Sequence, residues 1–355
     1  MTSKGQRPGQ QGFVLIAVLA LLVVLTLLAS SVALSSRRAV SEAQADADQF
    51  QGELDTLSTQ QTLLFMMSTQ RTTLGGLTVD QTASSRPIAA DEDVEGLSAM
   101  PVGNEIRLDG TPYKGIGQAL FALQDGRGLI SPNWAGAYLR QAFFSARKVP
   151  FEQWPALEAK RLDYQDPDDL HRLNGAEEDE YRKAGLPPPI NRPVATPLEF
   201  RRILGWNTLL STMSDAEVTS LFSVERSAIL NINTAPAQVL AMLPGMDREL
   251  AQRMVALRSS VPFSSLAALR QLFPLDPAVE EGLTLFSSTS GNLTLWDSRQ
   301  GSSLLTHWTM TPFDDHGRPW RIDYEVILPR GEHTDPALAS TPATPLFTAQ
   351  NQTGS

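Results

Sequence analysis

The 355-residue sequence contains no cysteine. That removes disulfides, thiol nucleophiles, Cys-ligated zinc and iron–sulfur clusters together. It does not fix the compartment. Histidine is almost as scarce, with four residues (His171, His307, His316 and His333) scattered through the chain. No HExxH or His-x-His pattern is available to a transition metal. A GxSxG elbow, a His-centred triad order and EF-hand spacing are also missing. Basic residues are outnumbered, 29 against 39 acidic, for a formal net charge of −10. Nucleic-acid binding depends on cations that displace phosphate counterions, and this balance opposes it. Hydrophobic residues make up 42% of the sequence, enough for a sizeable core in one large or two medium domains.

Charge is absent from Phe13 to Leu34, the run FVLIAVLALLVVLTLLASSVAL. As a helix it would be roughly 33 Å long, enough to cross a bilayer core. The run exceeds the usual h-region of a secretory signal, about 7–15 residues. A conventional signal cut near Ala33-Leu34-Ser35 and a plain signal anchor both remain open readings. A third reading comes from the other end of the run. The polar leader, with Lys4 and Arg7, stops at Gln11-Gly12, and Phe13 opens the apolar stretch directly. Lys4 and Arg7 before the run are balanced by Arg37 and Arg38 after it, so charge does not set the orientation.

Beyond the run, Val40, Ala43, Ala47, Phe50, Leu54, Leu57 and Leu64 recur at three- and four-residue spacing, one apolar seam on a continuing helix. It is expected to pack partly on the protein's own sheet and partly on sister helices, with Gly75-Gly76 ending the helix. Residues 80–103 read as a loop. Glu105–Leu108 and Gln118–Gln124 read as strands, and Asp125-Gly126-Arg127-Gly128 as a hairpin turn. The pattern turns helical from Trp134 to about Leu285, with start signals at Thr196-Pro197-Leu198-Glu199 and at Ser214 to Glu217. Strands return at NLTLW, LLTHWTM and WRIDYEVIL, and the tail is rich in Pro, Thr and Ala, a composition expected to be disordered.

Two constellations stand out. Arg161–Tyr181 (RLDYQDPDDLHRLNGAEEDEY) gathers Asp163, Asp166, Asp168, Asp169, Glu177, Glu178, Asp179 and Glu180. Such a cluster is either a solvated acidic surface or an oxygen-rich cation site, and hard carboxylates suit calcium. A glycosidase-like carboxylate pair needs one acid set apart in an apolar pocket, and no such distinction is legible. The second is Leu230–Leu272, opening on LNINTA. Leu243-Pro244-Gly245-Met246-Asp247 resembles a helix-hairpin-helix. DNA-binding versions carry a second glycine where Asp247 would put a carboxylate against the phosphate.

The Gly12–Phe13 junction, the D-x-x-G strand exit at Asp125, the acidic block and LNINTA occur in the order found in the K class of type II secretion minor pseudopilins, which this chain resembles. The acidic block follows that family's D-W-x-D-x-D…G-A-E-x-x-x-Y segment, with Tyr164 in place of Trp. The resemblance implies prepilin-peptidase cleavage between Gly12 and Phe13 and N-methylation of Phe13. It makes Ala17 informative, because most pseudopilins carry Glu at that position, and the K class, at the tip, has no subunit above it. It implies calcium at the acidic block, with Asp163, Asp166, Asp168, Glu177 and Glu178 as candidate ligands.

The fold implied is α+β: a long N-terminal transmembrane helix packed on a small antiparallel sheet, with a large inserted all-helical domain. The expected divisions are a leader (1–12), a transmembrane part (13–34) and a periplasmic continuation of the helix (35–74). A first part of the α/β domain (75–132), the inserted helical domain (133–287), the C-terminal strands (288–330) and the tail (331–355) follow. The function implied is a structural tip subunit of the pseudopilus supporting export of folded proteins, not an enzyme and with no nucleic acid. It would sit in the inner membrane with its C-terminal domain in the periplasm. Its partners would be the I- and J-class minor pseudopilins, the inner-membrane platform and prepilin peptidase. Two rivals are weighed against it: a competence-type DNA-binding protein, opposed by Asp247 and by net charge, and a calcium-dependent exported hydrolase, which lacks a motif.

Overall fold

The computed structural model describes residues 11–79, 99–297, 302–312, 317–329, 338–339 and 347. The chain divides into two compact units, Met1–Leu54 and Asp55–Ser355. Helix α1 runs Gln11–Thr69. Its apolar portion has a mean hydropathy of 2.8 over an 18-residue window, and none of that window is buried. By length and composition it suits a bilayer. Gly12 and Phe13 lie in its first turn, and Ala17 is exposed. Most of the leader (1–10), residues 80–98 and most of the tail lie outside the described residues.

In the second unit, β1 (Thr72–Thr73), β2 (Gly76–Thr78) and β3 (Glu105–Ile106) form a small antiparallel sheet. The main sheet comprises β4 (Asp109–Lys114), β5 (Ala119–Asp125), β8 (Ser290–Asp297), β9 (Ser302–Met310) and β10 (Trp320–Pro329). Its order is β10-β9-β8-β5-β4, antiparallel throughout. β5 and β8 are immediate neighbours, Asp125 opposite Gly291. Between them come helices α2 (Ala137–Ala146), α3 (Trp154–Asp163), α4 (Glu178–Lys183), α5 (Trp206–Leu209) and α6 (Asp215–Leu221). Helices α7 (Ala237–Leu240), α8 (Arg248–Ser260) and α9 (Leu266–Leu272) follow, with a short parallel pair, β6 (Leu230–Asn231) and β7 (Leu283–Thr284). The α+β architecture, a long apolar helix with antiparallel sheets and a helical block between adjacent strands, is therefore as expected.

Four local readings need correction. The helix ends at Thr69; Leu74-Gly75 makes the β1–β2 turn and Gly76 opens β2 with φ +132°. Any Cβ there would meet the Ile106 carbonyl at 2.1 Å, so only glycine fits. The seam is largely bare: Val40, Phe50, Leu54 and Leu57 are exposed and Leu64 alone of its large members is buried. What α1 presents to the sheet is a neighbouring face, Asp55, Thr59, Gln60, Leu63, Leu64 and Met66. Its polar members are satisfied there. Thr59 Oγ1 accepts from the Ile116 N–H at 3.0 Å, Asp55 Oδ2 accepts from the Gln118 N–H at 2.9 Å, and Gln60 Nε2 donates to Thr306 Oγ1 at 3.0 Å. Periodicity counted only apolar residues, so this half-polar contact was invisible. Third, Asp125–Gly128 is not a hairpin but a 3₁₀ turn leading into the helical block, with Asp125 as its cap. Fourth, Pro197–Arg202 is 3₁₀ and Thr196 gives no side-chain cap, whereas the Ser214–Glu217 capping box forms fully.

The helical block has its own aromatic core. Phe143 meets Phe222 edge-on at 4.9 Å, and Trp206 stacks on Phe200 at 5.6 Å. Trp206 Nε1 donates to the Leu157 carbonyl, which lets a fully buried indole keep a partner. A second core of Leu63, Leu64, Met66, Phe121, Leu293 and Leu295 lies between α1 and the main sheet. Of the tail, Ala339 bridges to Tyr113 and Phe347 packs on Phe121 at 5.7 Å.

Candidate functional site

The acidic block leaves the C-terminus of α3 and closes at the N-terminus of α4. Asp163, the last residue of α3, is fully buried. Its carboxylate accepts from Arg172 Nη1 at 2.7 Å, from the Arg172 N–H at 3.2 Å and from the Ala176 N–H at 3.0 Å. Gly175 is needed beneath it, because a Cβ would lie 1.8 Å from Asp163 Oδ2. Arg172 also pairs with Asp166, and these two carboxylates hold its guanidinium pKa well up. The Tyr164 and Tyr181 rings meet at a tilt, 5.9 Å apart, and the Tyr181 hydroxyl accepts from the Leu204 N–H. The loop is thus a built structure anchored on a buried acid.

Glu177 sits differently. It is buried as the N-cap of α4, where only the Glu180 N–H of the capping box faces its carboxylate and neither oxygen makes a close hydrogen bond among the described residues. Burial, then the negative field of Asp163, Asp166 and Asp169, pushes its pKa up to about 7. Asp166 Oδ1 and Asn191 Oδ1 are likewise buried without a partner. The other expected ligands are elsewhere. Glu178 and Asp179 are exposed on α4 and pair with Arg182 at 2.6 and 2.5 Å. Asp168 is exposed and accepts from the Leu170 N–H. The structure therefore brings Asp163, Asp166 and Glu177 into one neighbourhood and leaves Asp168 and Glu178 on its surface. Among the described residues, no three His, Asp or Glu side chains stand ready-arranged around a metal position. Arginine supplies part of the compensating charge that the sequence pattern assigned to a cation.

The LNINTA segment meets a second buried acid. Asp125, at the end of β5, is 1% exposed. Its Oδ2 accepts from Asn231 Nδ2 at 2.8 Å and from Thr234 Oγ1 at 2.7 Å. Its Oδ1 accepts from the Ser288 N–H and hydroxyl, both at 2.8 Å. Asn233 completes the knot: Nδ2 donates to the Phe263 and Leu285 carbonyls, and Oδ1 accepts from the Phe263 N–H. These bonds tie the hairpin of α8 and its approach to the sheet's central strands. Glu225 lies alongside, its Oε2 3.0 Å from Ser288 Oγ, and burial with the adjacent Asp125 raises its pKa to about 7. Asp125 as a hub was missed because its D-x-x-G setting reads as a turn; the partners are more than 100 residues away. In the hairpin itself, Asp247 caps α8 by accepting from the Leu250 N–H at 2.8 Å, so a carboxylate occupies that helix N-terminus. Gly245 takes φ +85° against the Pro274 carbonyl.

These features define an α+β protein on one long apolar helix, with a helical block knotted to its sheet through asparagines and a buried aspartate. Over residues 230–285, the stretch that forms this knot and its hairpin, the chain matches the family described as Type II secretion system (T2SS), protein K, so the suspected resemblance is borne out there. Among solved structures it is similar to a chain in "The Crystal Structure of the GspK-GspI-GspJ complex from enterotoxigenic Escherichia coli Type 2 Secretion System". The identity is 15% and the TM-score 0.45, over 82% of this chain and 100% of that one. No curated protein matches the chain.

Proposed function

We propose that this protein is a K-class minor pseudopilin, a structural subunit at the tip of the type II secretion pseudopilus rather than an enzyme. The observation that carries the reading is the protein K match at residues 230–285, the segment the structure makes into an architectural joint. The apolar helix supports an inner-membrane anchor, and the protein K likeness would put the C-terminal domain in the periplasm. Prepilin peptidase would cut between Gly12 and Phe13 and leave Phe13 methylated, and Ala17 fits a subunit with no neighbour above. The exposed seam at Val40, Phe50, Leu54 and Leu57 supports packing on sister helices, with I- and J-class minor pseudopilins as partners and folded proteins as the exported cargo. Co-expression of the full chain with those two pseudopilins tests this. A ternary complex that Leu54→Glu or Leu57→Glu disrupts is expected; failure to co-purify with either would reject the partner assignment.

Calcium belongs to the same proposal. The unpartnered oxygens of Glu177, Asp166 and Asn191 beside Asp163 are the hard oxygen donors such an ion takes. Bound there, the ion would supply charge compensation and no chemistry. A cation that binds only the folded chain stabilises it by roughly 2.7 kcal/mol at a hundredfold excess over its dissociation constant. EGTA is expected to lower the melting temperature and calcium to restore it better than magnesium, an effect that Glu177→Ala or Asp166→Ala abolishes. A melting curve indifferent to calcium would return the block to an Arg-paired acidic surface.

A further inference from the structure

A cleft of about 670 Å³ opens between the helical block and the edge of the main sheet. One wall carries Trp134, Arg192 and Arg226, and the other carries Arg321 and Asp323 of β10. Nothing in the secretion reading uses it. Its floor is rigid: His307 is buried, bonded through Nδ1 to Asn292 Oδ1 at 2.8 Å, and stacked flat on Tyr324 at 4.9 Å. The Trp134 wall is braced from behind, where Asn133 exchanges hydrogen bonds with Gln165 at 2.7 and 2.8 Å. Three arginines, Arg192, Arg226 and Arg321, line this trough. Arg321 spends one N–H on Asp323 at 2.7 Å, Arg192 donates to the Pro193 carbonyl and to Glu199 at 3.3 Å, and both remain more than half exposed. Arg226 is exposed and makes no hydrogen bond or ion pair among the described residues. Trp134 leaves half its surface bare beside them.

We infer that this cleft binds a carboxylate-bearing, extended peptide segment of another protein, its acids received by Arg226 and Arg321 and an apolar side chain by Trp134. Guanidinium forks match carboxylates in bidentate geometry, and a rigid indole adds contact area at small entropic cost. Arg fits phosphate as well, but the net charge of −10 repels a long polyanion, whereas one or two peptide carboxylates need only the local cations. Glu225 and Asp323 also line the cleft. They limit it to ligands whose acids are separated, so that each can reach its own arginine. The assignment stands whether or not the chain is a pseudopilin.

The test uses the full chain in detergent micelles and a short fluorescein-labelled peptide of repeating Glu-Ala-Phe, followed by anisotropy. Saturable binding is expected, absent for the Lys-Ala-Phe counterpart. Arg226→Glu should weaken it at least about tenfold, as loss of a charged hydrogen bond predicts, and Trp134→Ala should weaken it too. Arg226 has no partner to lose, so its variants should melt with the wild type, and Arg226→Lys should restore part of the affinity. Equal binding by wild type and Arg226→Glu would overturn the inference. So would tighter, Arg226-dependent binding of single-stranded DNA or of phosphatidylglycerol vesicles, which would make the cleft a phosphate site.

Discussion

Replacing Glu225 by glutamine isolates one electrostatic contribution to folding. The carboxyl is mostly buried, with 13% of its side chain exposed, and desolvation, then Asp125, pushes its pKa up from 4.5 to about 7. A raised carboxyl pKa means that the folded state holds its proton more tightly than the unfolded one. Below about pH 4.5 both states are protonated and nothing is lost. Between about 4.5 and 7 the unfolded chain gains by ionising and the folded chain does not, so stability falls; above 7 the loss is constant. At about 1.4 kcal/mol per pH unit over this interval the full effect is ~3 kcal/mol. Glutamine keeps the shape and can still hydrogen-bond to Ser288 Oγ. In urea unfolding of the full chain, Glu225→Gln should therefore exceed the wild type by only about 0.7 kcal/mol at pH 5 and by up to ~3 kcal/mol at pH 8. An offset that is the same at both pH values would refute the argument, since a packing change does not titrate.

Three other substitutions probe separate parts of the account. Asp163→Asn leaves Arg172 without its buried partner and should cost about 2–3 kcal/mol by urea unfolding, while Asp168→Asn on the same loop should cost under about 0.5. Gly245→Ala puts a Cβ 1.9 Å from the Pro274 carbonyl at φ +85°; a thermal melt should drop, and an unchanged melt would mean the hairpin relaxes freely. Ala17→Glu should leave N-terminal processing intact but burden membrane insertion by about 2.5–3.5 kcal/mol. Normal secretion at native expression would make Ala17 incidental rather than a tip adaptation.

The parts legible in the sequence were those with short-range signals. An uncharged run, alternating strands at NLTLW and WRIDYEVIL, and the Ser214–Glu217 box need only near neighbours, and all formed. Contacts set by tertiary structure were not legible. The face of α1 that meets the sheet includes Asp55, Thr59 and Gln60, polar residues whose partners Gln118, Ile116 and Thr306 are distant in sequence. At the candidate site, composition located the block but could not sort its acids. Whether a carboxylate faces Arg172, Arg182 or neither depends on where α3 ends and α4 begins, which decides between Asp163, Glu178 and Glu177. Asp125 was in view as part of a turn, and its role emerged only when the fold delivered Asn231, Thr234 and Ser288 to it.

The central claim is that the apolar helix is retained and cut at its front edge, as in a pseudopilin. Mass spectrometry of the mature protein, from cells with active prepilin peptidase, tests it most directly. The account predicts a chain beginning at Phe13 with an N-methylated amine. A chain beginning near Ser35, or one that keeps Met1, would contradict it.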